Sequence, residues 1–428
     1  MTGIILSADI GTSSLKAALI DFSGRLRAFG RSLYEKDANG DVSAGAWERA
    51  FKRTLEYLNL EAPECVIDGI CISGNGPTLV PVTAEGEAMR PLYWYDGGNL
   101  PLEKGSPSQT ASGKSLFLPC AARFKKNAPA LYEKTNLFVS SHEWLAARLG
   151  AGIVTILPSM PYEPYYWDDE QCYIFGLEKE KFPPFIRMGS LMGHISKEAE
   201  SFFSPSFGNR LKSGTPIISG GPDFITALIG TKTQKPGDVC DRAGSSEGIN
   251  VCTASPVHGE GLRVLPHAKE GLWNTGALIP SSGRLFENFR IETGQQDRDY
   301  KEMLDELIPS SFLMPDFPLP APHTSIDSGR SVLCAMGFAV RSALMTLKKA
   351  GLEVSVMRLS GGQAKNARWN QLKADISGVS LEVPEIPDGE LAGNAVLAAS
   401  ALENSSLEEA VGRIIRIKEV YRPGNAAL

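Results

Sequence analysis

Histidine is scarce in this chain, and the usual metal-site patterns of cysteine are missing. Its five histidines include no HExxH pair, and none of its seven cysteines falls in a CxxC. The common zinc-protease and zinc-ribbon frameworks are thereby excluded. The cysteines are odd in number and scattered from Cys65 to Cys334, which speaks against a disulfide scaffold and for a reducing compartment. Long apolar runs are also lacking. The longest, Val332–Val340, is nine residues, too short to cross a bilayer. Met1–Gly3 bring no positive charge, and Ile4-Ile5-Leu6 is cut off by Ser7 and Asp9, so no secretory signal is expected and the expected location is cytoplasmic. Nor is there an excess of positive charge. With 43 basic against 49 acidic residues the net charge is −6, which argues against nonspecific nucleic-acid or anionic-membrane binding and leaves a small molecule as the expected partner. Two nucleotide motifs fail on inspection. Gly113-Lys114-Ser115 resembles the end of a Walker A loop, but the required first glycine is Ser108. Gly74-x-Gly76 lacks the third glycine of a dinucleotide fingerprint, because position 79 is Leu79.

What is present is an ordinary globular composition, 43% hydrophobic and 21% charged, in a chain of 428 residues, long enough for two domains. The opening reads as three strands: Ile4–Ala8, Leu15–Asp21 and Leu26–Ser32, with turn chemistry at Gly11-Thr12-Ser13-Ser14. Trp47–Leu60 has helical spacing, with Trp47, Ala50, Phe51, Leu55 and Leu58 on one face. Val66–Ser73 reads as a buried strand, and Ser140–Leu149 as a helix opened by the capping box Ser140-x-x-Glu143. A second module follows the same plan. Thr215–Ser219 is strand-like and Phe224–Gly230 helical; Asp238–Arg242, Gly244-Ser245-Ser246-Glu247 and Ile249–Thr253 then repeat the strand, small polar turn and strand of the N-terminus. Further on come a long helix over Gly329–Ala350, a strand over Val354–Leu359, and helices over Asn366–Ser377 and Leu391–Leu402. A boundary is expected near Gly230–Lys235, giving domains 1–231 and 232–428.

Four segments can carry chemistry. Asp9-Ile10-Gly11-Thr12-Ser13-Ser14-Leu15-Lys16 is either an ordinary polar turn or a hairpin tip that aims backbone N–H groups and hydroxyls at phosphate. On the second reading Asp9 holds Mg²⁺, directly or through water, and Lys16 adds positive charge. Gly244-Ser245-Ser246-Glu247 invites the same two readings, and two such hairpins in corresponding places point to a nucleoside triphosphate. Asp223, after Ser219-Gly220-Gly221-Pro222, is either a helix N-cap or a general base for a hydroxyl during phosphoryl transfer. Ser360-Gly361-Gly362-Gln363-Ala364-Lys365-Asn366 is a plain strand-to-helix loop or one against which a base or ribose can lie. For a polyhydroxylated ligand the candidates are Asn75 and Gly76, after a strand, and Trp94 with Asp96, which join a stacking face to a carboxylate.

Taken in order, these segments resemble the FGGY family of carbohydrate kinases, within the actin-like ATPase superfamily. Ala8–Lys16 is similar to its first phosphate loop and Trp94-Tyr95-Asp96 to its Trp-x-Asp sugar segment. Gly220-Gly221-Pro222-Asp223 is similar to its Gly-Gly-Gly-Asp catalytic segment. Gly244-Ser245-Ser246-Glu247 falls where the family has Gly-Thr-Ser-Gly, Gly361–Trp369 resembles its adenosine loop and following helix, and Gly393-Asn394-Ala395 falls at its Gly-Ala-Ala stretch. The resemblance implies an α/β protein of two ribonuclease-H-like domains flanking a central cleft, the first binding sugar and phosphate, the second the nucleotide. It implies an ATP- and Mg²⁺-dependent kinase of a sugar, ketose or polyol, with a xylulose-like ketopentose as first guess, and homodimers as in many members. Asp223 would be the base and Asp9 the metal residue. Gly11, Thr12, Ser13, Ser14, Lys16, Gly244, Ser245 and Ser246 would serve the phosphates, and Gly361, Gly362, Gln363 and Asn366 the adenosine. Asn75, Gly76, Trp94, Asp96, Asp223 and Phe224 would line the sugar pocket. The chain departs from the pattern at Asn75-Gly76-Pro77-Thr78, where pentulose kinases often have Gln-Met-His-Gly. It departs again at Gly97-Gly98-Asn99, which lacks an arginine, and at Glu247, which puts a negative charge near the phosphates unless it points away or binds metal. These departures motivate the alternative of a sugar- or nucleotide-sensing relative without catalysis.

Overall fold

The computed structural model describes residues 3–38, 40–93, 114–309 and 325–424. The chain divides into two compact units: Met1–Thr226 with Glu390–Ile414, and Ala227–Gly389 with Ile415–Leu428. This differs from a single cut at 231/232. The first break falls inside the helix Asp223–Gly230, and the first unit takes back residues 390–414 from far along the chain.

The first unit is built on a six-stranded sheet of β1 (Ile4–Ile10), β2 (Ser14–Asp21), β3 (Leu26–Leu33), β4 (Gly69–Gly74), β5 (Leu191–His194) and β6 (Pro216–Pro222), in the order β5-β6-β4-β1-β2-β3. β1, β4 and β6 run parallel; β2, β3 and β5 are antiparallel to their neighbours. β1 and β4 are buried along their whole length, so they read as apolar runs rather than alternating patterns. β4 starts at Gly69, later than the expected Val66, and β6 runs on through the glycines to Pro222, with a register shift after Ser219. The helix Ala44–Glu61 is capped by the Ser43 hydroxyl, which accepts from Ala46 N at 3.2 Å. It buries all five residues expected on its inner face. The helix Ser141–Leu149 carries the expected capping box, Ser140 N donating to Glu143 Oε2 at 2.7 Å.

The second unit repeats the plan with seven strands: β7 (Val239–Ala243), β8 (Glu247–Thr253), β9 (Leu262–Pro266), β10 (Trp273–Ile279), β11 (Val356–Ser360), β12 (Ser380–Pro384) and β13 (Ile417–Tyr421). Their order is β9-β10-β8-β7-β11-β12-β13. The run β10-β8-β7-β11-β12 matches β3-β2-β1-β4-β6 in order and in direction: an antiparallel three-strand meander followed by two parallel strands. The long helix Ser325–Lys349 contains the one stretch among the described residues long and apolar enough by composition to cross a membrane. Its Leu333, Met336, Val340 and Leu347 are buried in the unit's core, which accounts for that apolarity. All seven cysteines are free thiols.

Candidate active site

In the first unit, three parallel strands bring the candidate groups to their carboxyl ends, where α/β sheets place ligands. Asp9 is next to last in β1 and 2% exposed. Its register partners are Ser73 on β4 and Lys16 on β2. The Ser73 hydroxyl donates to Asp9 Oδ1 at 2.8 Å and accepts from Asn394 Nδ2 at 3.0 Å; the same amide donates to the Ala8 carbonyl at 2.8 Å. Burial pushes the Asp9 carboxyl up to about 7. Glu390 adds to this, Lys16 opposes it, Asp223 adds to it and Ser73 opposes it. A buried carboxylate crowded by two others is a charge that a cation would relieve. Mg²⁺ suits a site of one or two carboxylates because it keeps most of its waters. Among the described residues no three carboxylate, histidine or cysteine side chains converge as a ready-made cage. Asp9 therefore fits as a single anchor for a hydrated ion.

Asp223 opens its helix at 9% exposure and accepts from Phe224 N at 2.6 Å through Oδ1. Its place depends on Gly220: a Cβ there would lie 2.0 Å from the Ile72 carbonyl oxygen, so β6 could not pack on β4. Phe224 is half-buried beside it.

At the first hairpin tip Gly11 N donates to Ser14 O at 3.1 Å, and Thr12 and Ser13 are exposed. Ser14 is different: it is buried, and its hydroxyl accepts from Arg31 Nε at 2.9 Å. The hydroxyls of Thr12 and Ser13 face solvent, whereas that of Ser14 is engaged inside. Asn75 is buried after β4, its N donating to the Ile10 carbonyl at 2.8 Å and its Oδ1 accepting from Ser141 at 3.3 Å. Its Nδ2 is buried without a hydrogen-bond partner, as expected of an amide awaiting a ligand oxygen. Gly76 follows it, half-buried. Trp94 and Asp96 lie outside the described residues.

In the second unit the tip Gly244-Ser245-Ser246 is exposed and closed by Gly244 N donating to Ser246 O at 2.8 Å; Ser245 O accepts from Arg284 N at 3.0 Å. Gly361 has φ +101°, and a Cβ on it would sit 2.3 Å from the Ala243 carbonyl oxygen, so only glycine lets this loop lie against β7. Gly362 is exposed beside it. The Gln363 amide is fully engaged: Nε2 donates to Gly244 O at 3.3 Å and Ser282 Oγ at 3.2 Å, and Oε1 accepts from Trp369 Nε1 at 3.1 Å. Asn366 caps the following helix, Oδ1 accepting from Trp369 N at 2.9 Å.

Glu247 points away from the tip. It is 1% exposed, Oε1 accepts from Lys373 Nζ at 2.5 Å and Oε2 accepts from the Ser282 hydroxyl. Lys373, equally buried, also donates to Asp241 Oδ2 at 2.8 Å. Burial works against each charge. It raises Asp241 to about 8 with Glu247 adding to the effect, whereas Lys373 and Ser282 help hold Glu247 below its usual range. At neutral pH one acid, one carboxylate and one ammonium leave the cluster without net charge. Sequence reading missed Lys373, Asp241, Ser73, Asn394 and Glu390. Glu247 itself was visible, as a charge in place of a glycine near the phosphates, but its partners were not.

The comparisons agree with this plan. Residues 300–402 match the model described as "FGGY family of carbohydrate kinases, C-terminal domain". The chain is 21% identical to a xylulose kinase of Staphylococcus epidermidis, over 99% of this chain and 93% of that protein. It is 23% identical to an autoinducer-2 kinase of Salmonella typhimurium, over 98% of this chain and 90% of that protein. Among solved structures, a gluconate kinase from Lactobacillus acidophilus superposes with a TM-score of 0.77 at 17% identity, covering 99% of this chain and 94% of that one. With the doubled sheet plan, the match over residues 300–402 and kinase relatives aligned along nearly its whole length, this chain is similar to the FGGY carbohydrate kinases, and it has the two-domain actin-like ATPase fold of the solved sugar kinases.

Proposed function

We propose that this protein transfers the γ-phosphoryl group of ATP to a hydroxyl of a small sugar, ketose or polyol. The observation that carries the reading is that Asp9, near the end of β1, and Asp223, directly after β6, both lie at the carboxyl ends of parallel strands of one sheet, and that a hairpin like the one at 11–14 recurs in the second unit. In this reading Asp223 accepts the proton of the attacking hydroxyl. Asp9, braced by Ser73 and Asn394, anchors the metal ion, which when bound neutralises phosphate charge. In the first unit the tip 11–13 and Lys16, and in the second unit the tip 244–246, carry N–H groups, hydroxyls and a cation of the kind that binds phosphate. The loop 361–366 supports the adenosine through its glycine backbone and Asn366 Nδ2, whereas the Gln363 amide is engaged within the protein. Asn75 Nδ2 offers a buried donor to an acceptor oxygen of the sugar, for which Gly76, Trp94, Asp96 and Phe224 are the other proposed contacts. The first unit, Met1–Thr226 with Glu390–Ile414, then serves sugar and phosphate, and the second, Ala227–Gly389 with Ile415–Leu428, the nucleotide. The reading places the enzyme in the cytoplasm, where ATP is available, and a homodimer is consistent with it.

The relatives' names cover xylulose, autoinducer-2 and gluconate, so the fold tolerates several acceptors. A xylulose-like ketopentose remains the first acceptor to try. The concern that Glu247 repels ATP loses its basis, since the side chain is turned inward and neutralised by Lys373. The test is a coupled ADP-release screen of the purified chain with Mg²⁺-ATP across pentuloses, hexuloses, aldonates and polyols. One class should raise ADP release far above the acceptor-free rate; a chain that binds ATP yet responds to none of them would contradict the reading.

A further inference from the structure

Within the second unit, a buried ionic cluster ties together the pieces that surround the second hairpin tip. Glu247 is the first residue of β8, directly after Ser246. Its carboxylate reaches Lys373 on the helix Ala367–Ser377 and Ser282 at the start of the helix Ser282–Glu292. Lys373 returns to Asp241 in the middle of β7, the strand that leads into the tip. Ser282 also accepts from Gln363, whose amide holds the Gly244 carbonyl. Arg284 N holds the Ser245 carbonyl. Both strands of the hairpin thus meet the Lys373 ammonium of the helix Ala367–Ser377, and the helix that contacts the tip joins the cluster through Ser282 on Glu247. Lys373 is 1% exposed and Asp241 and its partner Glu247 are 0% and 1% exposed, so none of them can touch a ligand. A buried ion triad is not a cheap source of stability, because desolvation cancels most of the attraction, whereas it can fix one arrangement of the groups around it.

We propose that Lys373, acting through Glu247 and Asp241, is a positioning residue that holds the tip 244–246 and the loop 361–366 in the geometry that receives the nucleotide. The proposal rests on the kinase reading given above. It requires the cluster to act on nucleotide affinity while leaving recognition of the sugar alone. Two charge-balanced variants test it. In Glu247→Gln, Lys373 keeps Asp241 as its counter-charge. In the double variant Lys373→Met with Glu247→Gln, Asp241 stays protonated and no buried charge is left over.

ADP affinity is measured by calorimetry on the full chain, and KM is measured separately for ATP and for the best acceptor found in the ADP-release screen. Each variant should weaken ADP binding and raise KM for ATP by about tenfold, as loss of pre-set geometry does. KM for the acceptor should stay within about twofold. ADP affinity within about twofold of the parent in the folded Glu247→Gln protein would overturn the proposal, as would equal rises in both KM values. If the double variant fails to fold, the Glu247→Gln result decides. Failure of the parent chain to bind ADP would instead sink the kinase reading itself, so the two failures are distinguishable.

Discussion

The two hairpins share a strand plan and differ in how they handle buried charge. In the first, Asp9 accepts from the Ser73 hydroxyl, which Asn394 holds, and feels two further carboxylates, with Lys16 and Ser73 pulling the other way. In the second, Glu247 and Asp241 are met by a fully buried ammonium and a hydroxyl. The first hairpin is left with negative charge for a cation to satisfy; the second is balanced within the protein. On the proposed function, the two like elements would serve two tasks: metal binding in the first unit and a rigid cradle for phosphate in the second. The difference lies in side chains that flank the tips and in the distant partners they meet.

The contrast predicts opposite responses to charge removal. Asp9→Asn should lower kcat/KM by about 10²–10³-fold, the scale of losing one preorganised electrostatic group. Without divalent metal at pH 8 the same change should leave the fold as stable or raise its stability by about 1 kcal/mol. A carboxyl whose folded pKa lies near 7, above its ordinary 3.8, costs stability once it is ionised. Lys373→Met alone should do the reverse, costing about 3–5 kcal/mol in denaturant melts because it strands a buried carboxylate. Equal and same-signed stability changes at the two hairpins would remove the distinction.

A smaller effect separates the first unit by pH. His142 is buried against Gly74, neither ring nitrogen has a hydrogen-bond partner, and burial holds its pKa down to about 3. The unfolded chain binds this proton near the ordinary 6.5 and the folded one does not, so His142 costs stability as pH falls below that value. Its neighbour Glu143, raised to about 7 by burial, has the opposite sign over part of the range. Relative to the parent, His142→Asn should therefore gain roughly 1 kcal/mol for each pH unit from about 6 to 5, read as the pH dependence of the difference in unfolding free energy. The smallest change is expected at the exposed tip. Ser245→Ala should alter stability by less than about 0.5 kcal/mol, yet weaken ADP binding measurably by calorimetry.

Much of this arrangement was legible locally. The hairpin tips, the Ser140–Glu143 capping box and the five buried residues of the helix Ala44–Glu61 rest on chemistry within a few residues of one another, and each formed where expected. The glycines at 220 and 361 were visible as places where a group could come close, but what lies against them is protein backbone, the Ile72 and Ala243 carbonyls. What was not legible depends on distant partners. Lys373 meets Asp241 across 132 positions and Asn394 meets Ser73 across 321, and no local pattern reports such pairings. Ser14 and Gln363 looked like ligand groups because their types fit, but Arg31 and Ser282 engage them internally. The return of residues 390–414 to the first unit escaped a linear reading for the same reason.

The claim on which the rest depends is that Asp223 takes the proton of a sugar hydroxyl during transfer from ATP. Its most direct test is the rate of ADP release by Asp223→Asn, with the best acceptor and Mg²⁺-ATP both saturating. The account predicts a kcat lower by about 10²–10⁴-fold with ADP affinity preserved, the range expected for loss of a general base. A variant that folds, binds ADP and phosphorylates its acceptor at close to the parent rate would contradict it.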